Sequence, residues 1–221
     1  MAERFVKFQH FVTEEELLDF TDFLKEHGIT FQVEDNTPAL DINMHFNPDP
    51  LQKSFLVKIK PHDFPTVKAL LNAQAEQLLD QVSQDHYLYS FSSQELFEVI
   101  KKADEWNPLD VQLAKKILAE EGIAIPEEAI EKIEQERVEE LAQPKVLGLS
   151  WLIFAYVLAM LAGILAILFA GYLIHSKTTL PDGRRVYFFD EQARKHGWGI
   201  AIVSLLQIIM MAYLSFTGRL G

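Results

Sequence analysis

The chain has 221 residues, a net charge of −12 and no cysteine. Residues 1–145 hold 29 acidic and 14 basic side chains, whereas residues 146–221 hold 3 and 6. An acidic front argues against non-specific nucleic-acid binding, which rests on Lys and Arg neutralising phosphates. The absence of Cys excludes disulfides, thiolate nucleophiles and Cys-based zinc or iron–sulfur sites.

Residues 5–9 read as a strand, with Val6 and Phe8 on one face and Phe5 and Phe11 falling opposite. A two-sided or self-associating strand is the expectation there, beside the plainer one of an aromatic-filled core. Thr13 and Glu16 form a capping box that opens a helix through Leu17, Phe20 and Leu24, and Gly28 stops it. Ile29–Val33 is a second strand. The Pro- and Asn-rich segment 34–52 is a loop with a short extended piece near Ile42–Met44, and His45 with Asp41 and Asp49 is its one candidate ligand cluster. Phe55, Val57 and Ile59 alternate as a third strand, and Asp63-Phe64-Pro65 starts a second helix. Tyr87–Phe91 is the candidate fourth strand, which would complete a ferredoxin-like unit over residues 1–91.

Helical signals follow in residues 92–144. Ser92 and Glu95 form a second capping box, and Asn107-Pro108 with Asp110 is a strong helix start ending at Gly122. Trp106 is expected to pack between these two helices. Glu127–Ala142 has a narrow apolar stripe interrupted by Arg137, which predicts a solvated stalk.

Val146–Ile174 runs 29 residues without a charge, and Trp198–Gly218 is also uncharged. About 20 apolar residues cross a hydrocarbon core, so residues 145–221 predict a two-helix transmembrane hairpin with spans near 149–174 and 198–217. Ala155, Ala159 and Gly163 are spaced by four, as are Ala162, Ala166 and Ala170, and small residues let helices approach closely in lipid. Gln207 is the strongly polar residue deep in the second span, and it should face the other helix or a neighbouring subunit. In the connecting loop, Arg184, Arg185, Tyr187, Phe188 and Phe189 form a candidate interfacial, headgroup-binding group.

No Gly-rich phosphate loop, nucleophile elbow or His-Glu-x-x-His motif is present, and the seven histidines lack metal-ligand spacing. The expectation is therefore no catalytic residues, no cofactor and no metal.

The helix EEELLDFTDFLKEHGI and the tract HYLYSFSSQELFEVIKKADEWNPLDVQLAKKILAEEGI (His86–Ile123) carry a resemblance. The chain resembles a bacterial signal-transducing protein family of ferredoxin-like domains, over residues 4–80. Members with a similar DEW-x-P-x-D-x-x-L-A-x-x-I-L helical pair followed by a membrane hairpin fit the second part. The resemblance implies an α+β fold and a regulatory role, and it supplies no catalytic residue.

Sidedness is in conflict at this level. Lys177, Arg184, Arg185, Arg194 and Lys195 place the loop in the cytoplasm by the positive-inside bias. A two-span hairpin would then export the front, yet Met1–Phe5 begins no signal peptide. The preferred reading keeps the front cytoplasmic. The chain is thus expected to be an α+β, integral-membrane adaptor or regulator of a bacterial inner membrane, contacting the lipid bilayer and a protein partner or itself. The alternatives are a structural subunit of a membrane complex and a small-ligand sensor using the 34–52 loop.

Overall fold

The computed structural model describes residues 4–36 and 53–218, and the chain divides into two compact units. The first comprises the chain up to Glu140 together with Thr179–Arg184; the second comprises Leu141–Thr178 and the chain from Arg185 onward. The chain is of the α+β class.

The first unit begins with β1 (Val6–Phe11), α1 (Glu14–Glu26), β2 (Phe31–Asp35), β3 (Phe55–Ile59) and α2 (Phe64–Leu78). Thr13 caps α1 by accepting from the Glu16 amide at 3.3 Å, and Gly28 ends it with φ of +69°. The sheet is antiparallel in the order β1-β3-β2, so the most apolar strand lies centrally. Phe8 is an extra residue between the Lys7–Lys58 and Gln9–Val57 pairs. A bulge of this kind resets which face the following side chains occupy. Val6 and Phe11, five residues apart, are therefore both buried. This corrects the expectation that Phe11 points away from the Val6 face. The Phe8 ring packs on Phe20 at 5.8 Å and edge-on to Phe64 at 5.1 Å.

The expected fourth strand does not form. Tyr87–Ser90 is a 3-10 turn, held by the His86 ring accepting from the Leu88 amide (3.4 Å) and by the Ser90 hydroxyl donating to the Tyr87 carbonyl (2.6 Å). Four residues whose own side chains satisfy the backbone gain little from a sheet edge. Among the described residues the sheet has three strands.

Leu88 instead joins a second core with α3 (Ser93–Lys101) and α4 (Pro108–Glu120), where Leu96, Val99, Leu113 and Leu118 are buried. The capping box at Ser92 and Glu95 is complete in both directions, and Asn107 caps α4 through the Leu109 amide at 2.9 Å. Trp106 packs edge-on to Phe91 against this core, as expected. α5 (Glu127–Ala142) is not a free stalk. Ile130 is buried, Lys68 pairs with Glu134 at 3.0 Å, and Arg137 reaches Asp104 at 2.9 Å.

The second unit differs from the predicted two-span hairpin. Its first apolar run is broken at Ala162 (φ −139°, ψ 63°) into α6 (Leu149–Leu161) and α7 (Gly163–His175). A short hairpin, β4 (Lys177–Thr179) and β5 (Arg185–Tyr187), leads into the single long helix α8 (Glu191–Phe216). Among the described residues one helix, α8, is long and apolar enough to cross a membrane.

α6 and α7 fold back on each other. At one end, the Lys145 amide donates to the Phe188 carbonyl (2.8 Å), the Phe188 amide to the Ser176 carbonyl (3.0 Å), and the Asp190 amide to the Lys145 carbonyl (3.2 Å). The entrance to α6, the exit from α7 and the start of α8 therefore lie side by side. Further along, the Tyr156 hydroxyl meets the His196 ring at 3.2 Å, so α6 runs parallel to α8. A Cβ on Gly197 would meet Leu173 at 3.2 Å, and one on Gly163 would meet the Ser204 carbonyl at 2.9 Å, so α7 runs antiparallel to it. The turn between α6 and α7 reaches the level of Ser204–Ile208, and α8 continues beyond it.

Candidate functional site

Small residues line the buried sides of both short helices, and on α7 Gly163 lies directly against α8. Ala155 and Ala159 of α6, and Gly163, Ala166 and Ala170 of α7, are all buried. The break at Ala162 thus divides the first row, leaving Ala155 and Ala159 on α6 and Gly163 on α7, while Ala166 and Ala170 of the second row lie on α7. Gly163 has no room for a Cβ: the Gln207 side-chain oxygen, Ile208 and the Ser204 carbonyl occupy that position. On α8, Ser204 is fully buried and its hydroxyl donates to the Ile200 carbonyl at 2.8 Å. Such contacts let backbones approach closely, which is how helices associate when no water is present to drive apolar side chains together.

The large apolar side chains point outward. Trp151, Phe154, Met160, Leu161, Ile164, Leu168 and Leu206 are each more than half exposed, while the buried positions are mostly alanine, glycine and serine, joined by Leu173, Phe189 and Ile200. In water this would leave a continuous apolar surface of a size seldom tolerated on a soluble monomer. In lipid it is the expected arrangement.

The candidate headgroup residues separate into three groups. Arg184 is held within the tight turn 180–184 by Asp182, whose carboxylate takes both its backbone amide (2.9 Å) and its guanidinium. The Pro181-Asp182-Gly183 turn forms as expected, closed by the Gly183 amide on the Leu180 carbonyl, with Gly183 at φ of +83°. This turn clusters with the first unit, where a Cβ on Gly183 would strike Pro61 and the Phe64 ring. Phe189 is buried against Tyr172 (5.4 Å) and Phe188 (4.9 Å), so it belongs to the packed interior rather than to the lipid boundary. Arg185 and Tyr187 remain exposed.

Around Tyr187 and Phe188 is a rim of cations on aromatic faces. Lys177 and Arg194 lie over Tyr187 at 4.4 Å and 3.9 Å, and Lys145 lies over Phe188 at 4.8 Å. Such pairs keep positive charge at the level where helix ends meet polar surroundings. Trp151 and Trp198, exposed near the same end, extend this belt. Sequence reasoning left them out, although Trp at the edge of a charge-free run is the usual sign of an interfacial anchor.

In the first unit a cleft of about 350 Å³ is lined by residues from α2, α3, α5 and the 181–184 turn. Three of its lining cations are paired: Lys68 with Glu134, Arg184 with Asp182, and Arg137 with Asp104, Glu105 and Glu140. Hydrogen bonding to Asp104 is the main cause that raises Arg137 above its ordinary pKa. Ser92 holds Glu95 below the usual carboxylate range through its backbone amide and then its hydroxyl. Partial burial, followed by the neighbouring Asp110 carboxylate, pushes Tyr87 up to about 12. Each of these shifts has a local structural cause. Among the described residues, no three His, Asp or Glu side chains gather where a metal could sit. His45, Asp41 and Asp49 lie outside the described residues.

A scan of family models, a search of curated proteins and a search of solved structures each give no match to this chain.

Proposed function

We propose that the chain is a membrane-anchored, non-enzymatic regulatory or adaptor protein, held in the bilayer by α8 and presenting its acidic first unit to a protein partner. The observation that carries this reading is the inverted packing of the second unit, with small residues inside and large apolar ones outside. That distribution suits a hydrocarbon solvent. The first unit supports the adaptor part of the proposal: two small cores, helices capped at Thr13, Ser92 and Asn107, and an excess of acidic side chains on its surface make a stable platform for display. The ferredoxin-like relationship and the placement in a bacterial inner membrane belong to the same proposal, resting on the β1-β3-β2 order and the resemblance carried by Ser92–Gly122.

Two experiments test it on the full chain. Alkaline carbonate extraction of membranes should leave the protein in the pellet, and release into the supernatant would end the anchorage claim. Crosslinking in those membranes should capture a second protein through the first unit; capture of the chain alone would remove the adaptor claim. A structural-subunit role has one observation in its favour. The part of α8 beyond the α6–α7 turn, Ile209–Phe216, is exposed almost all round, which is where a neighbouring helix would pack. Recovery of the chain solely as a monomer in mild detergent would count against that second reading.

A further inference from the structure

We propose that α6 and α7 form a re-entrant hairpin, entering and leaving the bilayer through one face, so that the chain crosses the membrane once, at α8. The inference rests on the membrane anchorage proposed above and adds the path of the chain to it.

Length is the first argument. α6 and α7 have 13 residues each, about 20 Å at 1.5 Å per residue, against a hydrocarbon core of about 30 Å. Neither spans it. α8 has 26 residues, of which Trp198 to Phe216 are uncharged, enough to do so with little tilt.

Connectivity is the second. Lys145, before α6, and Ser176, after α7, both bond to Phe188, immediately ahead of α8. A continuous span from 149 to 174 would put those two residues on opposite faces of the membrane. Thr179–Arg184 also clusters with the first unit, so this turn shares its compartment.

Depth is the third. The α6–α7 turn meets α8 at Ser204–Ile208, roughly 9–15 Å along from Trp198 and thus near the middle of the core. A helix break at that depth leaves backbone N–H and C=O groups without intrahelical partners, where no water is present to take them. Gln207 is the amide at that level, lying directly against Gly163.

This path removes the conflict in charge. The first unit, the basic loop and the cation–aromatic rim all lie on one side, so the positive-inside bias and a cytoplasmic front agree.

The absence of native cysteine makes the test direct. Gln143→Cys, Arg185→Cys and Thr217→Cys each introduce one thiol into the full chain, to be labelled with a membrane-impermeant maleimide in intact and then permeabilised cells. Positions 143 and 185 should label alike, needing permeabilisation, and 217 should label without it. Labelling of 143 and 217 together, with 185 opposite, would restore the two-span hairpin and overturn the proposal. Identical labelling at all three positions in carbonate-resistant protein would overturn it as well, since nothing would then cross. Carbonate-soluble protein would instead overturn the anchorage itself, so the two failures are distinguishable. A further thiol at the turn, Leu161→Cys, should resist the reagent from both sides; ready labelling from either would contradict a buried turn.

Discussion

The two units follow opposite packing rules. In the first, Leu24, Val57, Ile59 and Leu88 are fully buried and a stack of phenylalanines fills the space between the sheet and its helices. In the second, the buried positions are mostly Ala, Gly and Ser, and Leu, Ile, Met and Trp face out. Water rewards burying large apolar side chains, at about 25 cal/mol per Å². Lipid gives no such reward, so helices there are held by how closely their backbones approach. The proposed anchorage accounts for this contrast: the sense in which a side chain's size matters is reversed between water and lipid.

That reversal is open to direct attack. The largest effect is expected from Leu24→Ala in the first unit, where a fully buried side chain leaves a cavity; the cost should be about 2–5 kcal/mol. Denaturant unfolding of the full chain in mild detergent, followed at Trp106, measures it. The second unit should be hurt by the opposite change. Ala159→Leu places extra atoms at a fully buried position of α6, at about 1–3 kcal/mol, read as a lowered midpoint of thermal unfolding. Leu165→Ala, on an exposed part of α7, should move that midpoint little. If Leu165→Ala is the more damaging of the pair, the second unit is packed for water and the contrast fails.

Smaller effects sharpen the picture of the first unit. Ser92→Ala removes a capping box that is satisfied in both directions and should cost about 1 kcal/mol. Its loss should be confined to the first unit's transition, which amide exchange in α3 would show. The pH arm is smaller still. Tyr87 is raised to about 12 from an ordinary value of 10.0, so the folded state keeps the proton longer than the unfolded chain does. Stability from this group is complete below pH 10.0 and is lost as pH climbs toward about 12. Tyr87→Phe should flatten that decline; an unchanged slope would show that the phenol contributes nothing.

Legibility in the sequence tracked how local the cause was. Thr13–Glu16, Ser92–Glu95 and Asn107-Pro108 each satisfy their own neighbouring amides, and all three helix starts form where their residues predict. Gly28, Gly122 and Gly183 likewise take the positive φ that their places call for. Non-local causes were less visible. Phe8 is a bulge because of how β1 pairs with a strand some fifty residues away, and alternation within β1 carries no trace of that. Arg137 looked like an interruption of an apolar stripe, but Asp104 and Glu105 lie about thirty residues earlier in the chain and receive it.

The break at Ala162 was hidden for another reason. Hydropathy averages over a window, and both flanks of the break are equally apolar, so the run from 146 to 174 reads as continuous. Gly163 and the solitary Gln207 were the available signs. Taken singly, each had an adequate explanation in helix packing; only their contact joins them.

The bonds from Lys145 and Ser176 to the same residue, Phe188, have a consequence for how this chain could be rebuilt. They flank one extended segment, so they stand about two strand spacings apart, roughly 10 Å. Three or four residues of linker would bridge them. On the proposed single crossing, everything between them is a closed excursion: excising 146–175 should shorten the chain while leaving the first unit and the loop on one side and the end of α8 on the other. The hairpin is a detachable insert whose gain or loss does not change the parity of the chain's passage.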